Sequence, residues 1–154
     1  MKGLALFMGV LLTGLTAAAL PARADSYSYT RTVDRSISAA GSKAIEVAGV
    51  NGNIDLYGDG GTAVRVHAVL RARSEEALHV LDVRTVQSGG AVRVEDVCPQ
   101  ERHFIFWSFA DCDIELEVHY PRALDVTLSS QNGNVTIDGA RAGVSILNRT
   151  VTCV

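Results

Sequence analysis

The chain has 154 residues, of which 47% are hydrophobic and 20% are charged, a composition that suits one globular domain with a modest core. Its formal net charge of -3 argues against nucleic acid as a partner, because binding phosphates requires a basic surface. The sequence also offers no polybasic patch for anionic lipid.

The first 24 residues are predicted to be a signal peptide. Lys2 supplies a positive start, an apolar run follows, and the sequence Ala-Arg-Ala at residues 22–24 fits a cleavage site. Residues 25–154 would then form one exported domain, in which the basic count falls from 14 to 12 against 17 acidic residues, a net charge of about -5. An uncleaved membrane anchor is the alternative, but the glycines and threonines of the run favour cleavage. We predict no transmembrane segment in the mature chain.

Alternation of apolar and polar residues dominates the mature chain and predicts short β-strands. The helix near residues 74–80 is the exception, since Ser74 can cap it and Glu75 and Glu76 suit the positive end of its dipole. A Ser-Gly-Gly sequence at 88–90 predicts a hairpin. The predicted strands are SYSYTRTV, KAIEVAGV, NIDLYG, AVRVHAVLRA, LDVRTVQ, AVRVEDV, DIELEVHYP, LDVTLSS, NVTID and GVSIL.

The strand DIELEVHYP at 113–121 alternates most regularly. One face is predicted to lie in the core and the other in solvent. The acidic stripe formed by Asp113, Glu115 and Glu117 could bind a cation or supply the paired carboxylates of glycoside hydrolysis, but a solvated face is the better interpretation. No familiar catalytic motif occurs in the chain.

A phrase built on Asn-Gly-Asn appears twice, in GVNGNIDLYGDG at 49–60 and in SSQNGNVTIDGA at 129–140. If the first Asn-Gly is a hairpin turn, Val47 pairs with Leu56 and the apolar residues of both strands share a face. A sharp corner between stacked strands serves equally well, because Asn and Gly tolerate positive φ in either setting. The pattern leaves both alternatives open.

Three cysteines lie in the mature chain, and export would place them where disulfides persist. We predict a Cys98–Cys112 disulfide, whose loop of about 15 residues would stabilise the fold by roughly 3 kcal/mol. Cys153 is then left over, which leaves a disulfide-linked homodimer open. The spacing of Cys98, His103 and Cys112 matches no closed zinc site, so no metal or other cofactor is predicted.

The segment CPQERHFIFWSFADC between the paired cysteines concentrates the aromatic residues. It either presents them to a sugar, a lipid surface or a protein, or folds back to cap the core. The cap is favoured, because a small domain poor in aromatic residues needs that apolar area inside. The candidate binding residues are Phe104, Phe106, Trp107 and Phe109.

The segments NGNIDLYGDGGTAVRVHA, DIELEVHYP and LDVTLSSQNGNVTIDGARAGVSI resemble a bacterial family of exported β-strand-repeat proteins, the "putative adhesin" or Toastrack family. The resemblance runs from about Tyr29 to Ile146. It implies an all-β, solenoid-like stack of short strands, located in the periplasm or at the cell surface of a bacterium. An antiparallel sandwich of hairpins is the alternative architecture. Family members commonly continue through further strand repeats, so the domain is expected to be incomplete at its C-terminal end.

The resemblance also implies a role in adhesion or in sensing envelope stress. The function predicted is therefore a non-catalytic envelope scaffold that binds an envelope protein or a surface glycan. Two alternatives stand beside it. One is an enzyme acting on envelope polysaccharide through Asp113, Glu115 and Glu117, and the other is an inactive remnant of a longer gene.

Overall fold

A computed structural model describes residues 27–98 and 112–148. The predicted signal peptide, the aromatic residues between the paired cysteines, and Cys153 lie outside these ranges. The described elements are β1 (Tyr29–Ser38), β2 (Ala44–Asn51), β3 (Ile54–Asp59), β4 (Ala63–Ala72), α1 (Glu75–Val80), β5 (Asp82–Ser88), β6 (Ala91–Val97), β7 (Cys112–Pro121), β8 (Asp125–Asn132), β9 (Val135–Asp138) and β10 (Val144–Asn148).

The strands form two five-stranded sheets that share one core. The first sheet has the order β1-β4-β7-β3-β9, and the second has the order β10-β8-β2-β6-β5. Buried side chains from both sheets form a single apolar cluster, which includes Ile45 and Leu128 from the second sheet and Leu56 and Tyr120 from the first. The predicted all-β fold with one short helix is confirmed.

Period-two alternation places the core residues as predicted. In β7, Ile114, Leu116, Val118 and Tyr120 are all at most 2% exposed, whereas the intervening residues face outward. Burying an aliphatic or aromatic side chain of this size contributes roughly 1.5–3 kcal/mol. The inward rows of the strands therefore hold the two sheets together.

Three coils form the middle of the fold, each made of a strand of the second sheet followed by a strand of the first. β2 lies parallel to both β6 and β8, while β3 lies parallel to both β7 and β9. The β2–β3 coil is thus stacked between the β6–β7 and β8–β9 coils. Because β2 and β3 belong to different sheets, a hairpin pairing of Val47 with Leu56 does not occur. Both Asn-Gly phrases form corners between the sheets.

The corners stack closely enough to require glycine. Gly52 and Gly133 have φ values of +123° and +128°, a region that residues with a Cβ rarely enter. A Cβ on Gly52 would overlap the backbone of Ile114, and a Cβ on Gly133 would overlap the carbonyl group of Gly52. The repeated phrase therefore lets the main chains of neighbouring coils touch.

Polar groups tie the two corners together. The Gly52 N–H donates to the carbonyl oxygen of Asn132 over 3.1 Å, and the Asn132 side-chain amide donates to Oδ1 of Asn51 over 2.8 Å. The Ile54 N–H donates to the carbonyl oxygen of Asn134 over 2.9 Å. These bonds satisfy main-chain groups that would otherwise lose their partners where the strands end.

Antiparallel strands complete the other end of the stack. In the first sheet β4 pairs with β7 and β1 pairs with β4, and in the second sheet β5 pairs with β6. The β5–β6 turn has Gly89 at φ +62° and Gly90 at +79°, so the predicted hairpin is confirmed. Helix α1 begins as predicted, with the hydroxyl of Ser74 accepting from the Ala77 N–H over 3.1 Å.

A disulfide joins Cys98, directly after β6, to Cys112, the first residue of β7, with the two Cα atoms 6.3 Å apart. The pairing agrees with the prediction from the sequence. It holds together the two strands of one coil at the point where the chain passes between the sheets.

Candidate functional site

The outward face of the first sheet carries an excess of negative charge. Strand alternation and register place seven carboxylates there against two arginines, a net charge of -5 with neutral histidines. This value equals the net charge predicted for the whole mature chain. We call this surface the acidic face. Its carboxylates are Asp34, Asp55, Asp59, Asp113, Glu115, Glu117 and Asp138, and its arginines are Arg65 and Arg71.

Arg71 forms ion pairs with two of the three carboxylates in the predicted acidic stripe. Arg71 donates to Asp113 over 2.8 Å and to Glu115 over 2.9 Å from the neighbouring strand. These hydrogen bonds raise the pKa of Arg71 and lower the pKa of Glu115 below its usual range. A general acid of glycoside hydrolysis needs a raised carboxyl pKa, whereas the pKa of Glu115 is lowered. The hydrogen bonds from Arg71 therefore favour a structural role for Asp113 and Glu115.

Two histidines give the acidic face further hydrogen-bonding groups. His67 Nδ1 lies 2.8 Å from Oδ1 of Asp34, and His119 Nε2 lies 2.9 Å from Oε1 of Glu117. The His119 ring also stacks on Tyr57, with centroids 5.2 Å apart. Both histidines line an open groove of about 550 Å³. Within residues 27–98 and 112–148, no group of three or more histidine, cysteine or acidic side chains is arranged to hold a metal ion.

Asp96, at the end of β6, has a different environment. Its carboxylate accepts from the Val50 N–H over 2.7 Å, where the pairing of β2 with β6 has ended. Burial raises the pKa of Asp96, and the hydrogen bond from Val50 offsets part of this effect. A raised carboxyl pKa can indicate a catalytic acid, but here the group completes the hydrogen bonding of a strand end.

Apolar side chains are exposed where the coil stack ends at β9 and β10, a region we call the open end. Ile146 is 43% exposed and Leu147 is 63% exposed, whereas Leu128, the partner of Ile146 in β8, is fully buried. Val144 is 46% exposed. Among the described residues, the outer edges of β9 and β10 have no paired strand. β10 thus extends the inward row of the second sheet, and none of the described strands covers it from the opposite sheet.

Of the residues predicted to form a site, the structure brings together the two cysteines. The candidate loop residues Phe104, Phe106, Trp107 and Phe109 lie outside the described ranges, as does Cys153. The sequence indicated one strand of the acidic face, through the stripe of Asp113, Glu115 and Glu117, and an incomplete C-terminal end, but not the other four strands that complete the acidic face. Alternation gave the outward residues of each strand, but only the strand order shows which of them share a surface.

No helix within the described part of the chain is long and apolar enough to cross a membrane.

No protein-family model matches the sequence, and no curated protein matches it. Among solved structures, the fold is similar to that of a "putative cell adhesion protein" from Clostridium sporogenes, with 7% identity and a TM-score of 0.51. That match covers 78% of this chain but 57% of the clostridial one.

Two further solved structures have lower TM-scores. A "putative adhesin" from Bacteroides fragilis is 16% identical over 80% of this chain and 55% of that one, with a TM-score of 0.41. A "putative adhesin" from Parabacteroides merdae is 14% identical over 70% of this chain and 39% of that one, with a TM-score of 0.37. The clostridial match shows the fold alone, and it agrees with the fold expected from the family that the sequence resembles.

Proposed function

We propose that the protein is an exported, non-catalytic binding protein of the bacterial envelope that takes up an extended segment of a partner protein at its open end. The observation that carries this proposal is the exposure of Val144, Ile146 and Leu147 on β10, next to sheet edges that no described strand covers.

Strand addition suits this surface physically. An unpaired edge presents a row of N–H and C=O groups, so a partner strand gains main-chain hydrogen bonds without a sequence motif. The side chains of β10 set the specificity, because Ile146 faces the core side and Leu147 the outer side. The partner segment therefore needs apolar side chains at alternate positions.

One prediction from the sequence and one observation support the export of the protein. The predicted signal peptide would direct it across the inner membrane, and the disulfide between Cys98 and Cys112 persists in an oxidising compartment. The clostridial protein of similar fold is described as a putative cell adhesion protein, which supports a binding role over catalysis.

The acidic face is a second candidate binding surface. Its net charge of -5 would attract a cationic partner. The Tyr57 ring on this face could also contact a cationic side chain. Binding at this surface would weaken steeply with salt, whereas strand addition at the open end would depend on salt far less.

Site-specific photocrosslinking in living cells tests the proposal. A photoreactive residue at Leu147, on the β10 edge, is compared with one at Val86, a 42% exposed residue on the opposite edge strand β5. We expect one reproducible protein adduct from position 147 and none from position 86. The adduct from position 147 should be lost when the neighbouring Ile146 of β10 is replaced by lysine and kept when Val86 is replaced by lysine. Equal labelling at both edges, or background labelling alone, would reject the open end as the binding surface.

The rival enzymatic function is tested separately by incubating the protein with envelope glycan. Release of product by the wild type that is lost in Glu115→Gln would show catalysis by the acidic stripe. We expect no product from either protein, because Arg71 holds Glu115 in its ionised form.

A further inference from the structure

The two Asn-Gly pairs share their local sequence but differ in their surroundings. Both are followed by asparagine, in the order Asn-Gly-Asn. The first, Asn51-Gly52, lies in the middle coil, and the second, Asn132-Gly133, lies in the coil next to the open end. Asn-Gly is the sequence in which a main-chain nitrogen most easily attacks the preceding side-chain amide, because glycine has no side chain to hinder it.

The pair in the middle coil is held on both sides. The Gly52 N–H donates to the carbonyl oxygen of Asn132, and Oδ1 of Asn51 accepts the amide of Asn132. On the opposite side, Gly52 packs directly against the backbone of Ile114. Attack by the Gly52 nitrogen would require the corner to separate from the β8–β9 coil, because the Gly52 N–H is bonded to Asn132.

Among the described residues, the outer pair is covered on one side alone. Asn132 and Gly133 are both exposed, and Gly133 packs on the carbonyl group of Gly52. Among the described residues, no backbone carbonyl accepts the Gly133 N–H. The nitrogen that would attack is therefore accessible to solvent, and the Asn132 side chain is exposed while its amide donates to Oδ1 of Asn51.

From this difference we propose that Asn132 is a site of spontaneous deamidation in the folded protein, and that Asn51 is protected. The Gly133 nitrogen loses its proton to solvent base and forms a bond to Cγ of Asn132. The bond from Cγ to Nδ2 breaks, and the nitrogen leaves as ammonia. Water then opens the cyclic imide at either carbonyl carbon, giving aspartate or isoaspartate at position 132.

The product changes the corner that it occupies. A carboxylate has no N–H to donate to Oδ1 of Asn51, so the 2.8 Å bond between the two corners is lost and two oxygens face each other. Isoaspartate also lengthens the main chain by one methylene group. Deamidation therefore loosens the outer coil where it meets the open end, and adds a negative charge there.

Peptide mapping by mass spectrometry tests this inference. The native protein is incubated at mildly alkaline pH and digested, and the conversion of each Asn-Gly peptide is followed with time. We expect Asn132 to react at least about tenfold faster than Asn51, which corresponds to ~1.4 kcal/mol of additional opening free energy at the inner corner.

The same chain in denaturant is the matched control. Because the sequence Asn-Gly-Asn is common to both sites, the two rates should become similar once the coils are unfolded. A variant, Asn132→Gln, should show no conversion at position 132 while Asn51 stays protected. Equal rates in the folded protein, or faster reaction at Asn51, would overturn the inference.

Discussion

Replacement of Gly52 by alanine tests the stacked corners most directly. Gly52 has φ +123°, and an added Cβ would lie within 2.6 Å of the carbonyl carbon of Ile114. Holding a residue with a side chain in such a backbone conformation costs about 1–3 kcal/mol. Displacement of the corner would also break the hydrogen bond to Asn132, worth roughly 1 kcal/mol, and disturb the packing beneath it. The expected loss in the free energy of unfolding is therefore about 3–5 kcal/mol.

Gly89→Ala is the matched control. Gly89 also has positive φ, at +62°, but an added Cβ there would have no atom within 4 Å. Its loss should be about 1 kcal/mol, from the backbone conformation alone. Urea unfolding followed by circular dichroism measures both variants, and for a slope of ~2 kcal/mol/M the Gly52→Ala midpoint should fall by about 2 M. If Gly52→Ala loses no more stability than Gly89→Ala, the close contact between coils does not constrain the fold as argued.

Three further changes have expected outcomes. Replacing Cys98 and Cys112 together by serine should lower the free energy of unfolding by roughly 3 kcal/mol, measured by urea titration, and adding reductant to this variant should change nothing more. Arg71→Ala should cost about 0.5–1 kcal/mol at neutral pH, since the ion pairs are partly exposed. Because the pKa of Glu115 is lowered, the stability difference between the wild type and Arg71→Ala should be present above the ordinary carboxyl pKa. It should disappear as the pH falls through the lowered pKa of Glu115, and a stability difference that persists in acid would contradict the ion pair between Arg71 and Glu115. Asp96→Asn keeps a hydrogen-bond acceptor but cannot ionise. Because burial raises the pKa of Asp96, the wild type should lose stability as the pH rises through that pKa, whereas the variant should keep this stability. Thermal unfolding at a series of pH values checks this, and a less stable variant at neutral pH would show that the charge itself is needed.

Structural features that depend on residues close together in the sequence could be predicted from it. Alternation gave the strands and their buried faces, Ser74 gave the start of the helix, and the paired glycines after Ser88 gave a hairpin. The Cys98–Cys112 pairing followed from the short loop between two strands. Each of these depends on physical preferences that act over a few residues.

The order of the strands was not accessible in the same way. Asn51 and Asn132 are hydrogen-bonded across a sequence separation of 81 residues, and neither local pattern specifies the other as its neighbour. Positive φ at an Asn-Gly pair suits a hairpin and a corner equally, so the turn chemistry left the choice open. The acidic face was hidden for the same reason, because its charges come from five strands that are dispersed along the chain.

The position of the β2–β3 coil has a consequence for how the chain folds. Residues 44–59 lie between a coil that ends at residue 121 and one that ends at residue 138, so the order along the chain differs from the order in space. During synthesis the first coil emerges before either of its neighbours exists, so neither of its strands has a partner with which to pair. Pairings of such high contact order are slow to form, since a long loop must close before any contact compensates for the lost entropy. Folding is therefore expected to be largely post-translational, with the early strands exposed to chaperones until β8 arrives.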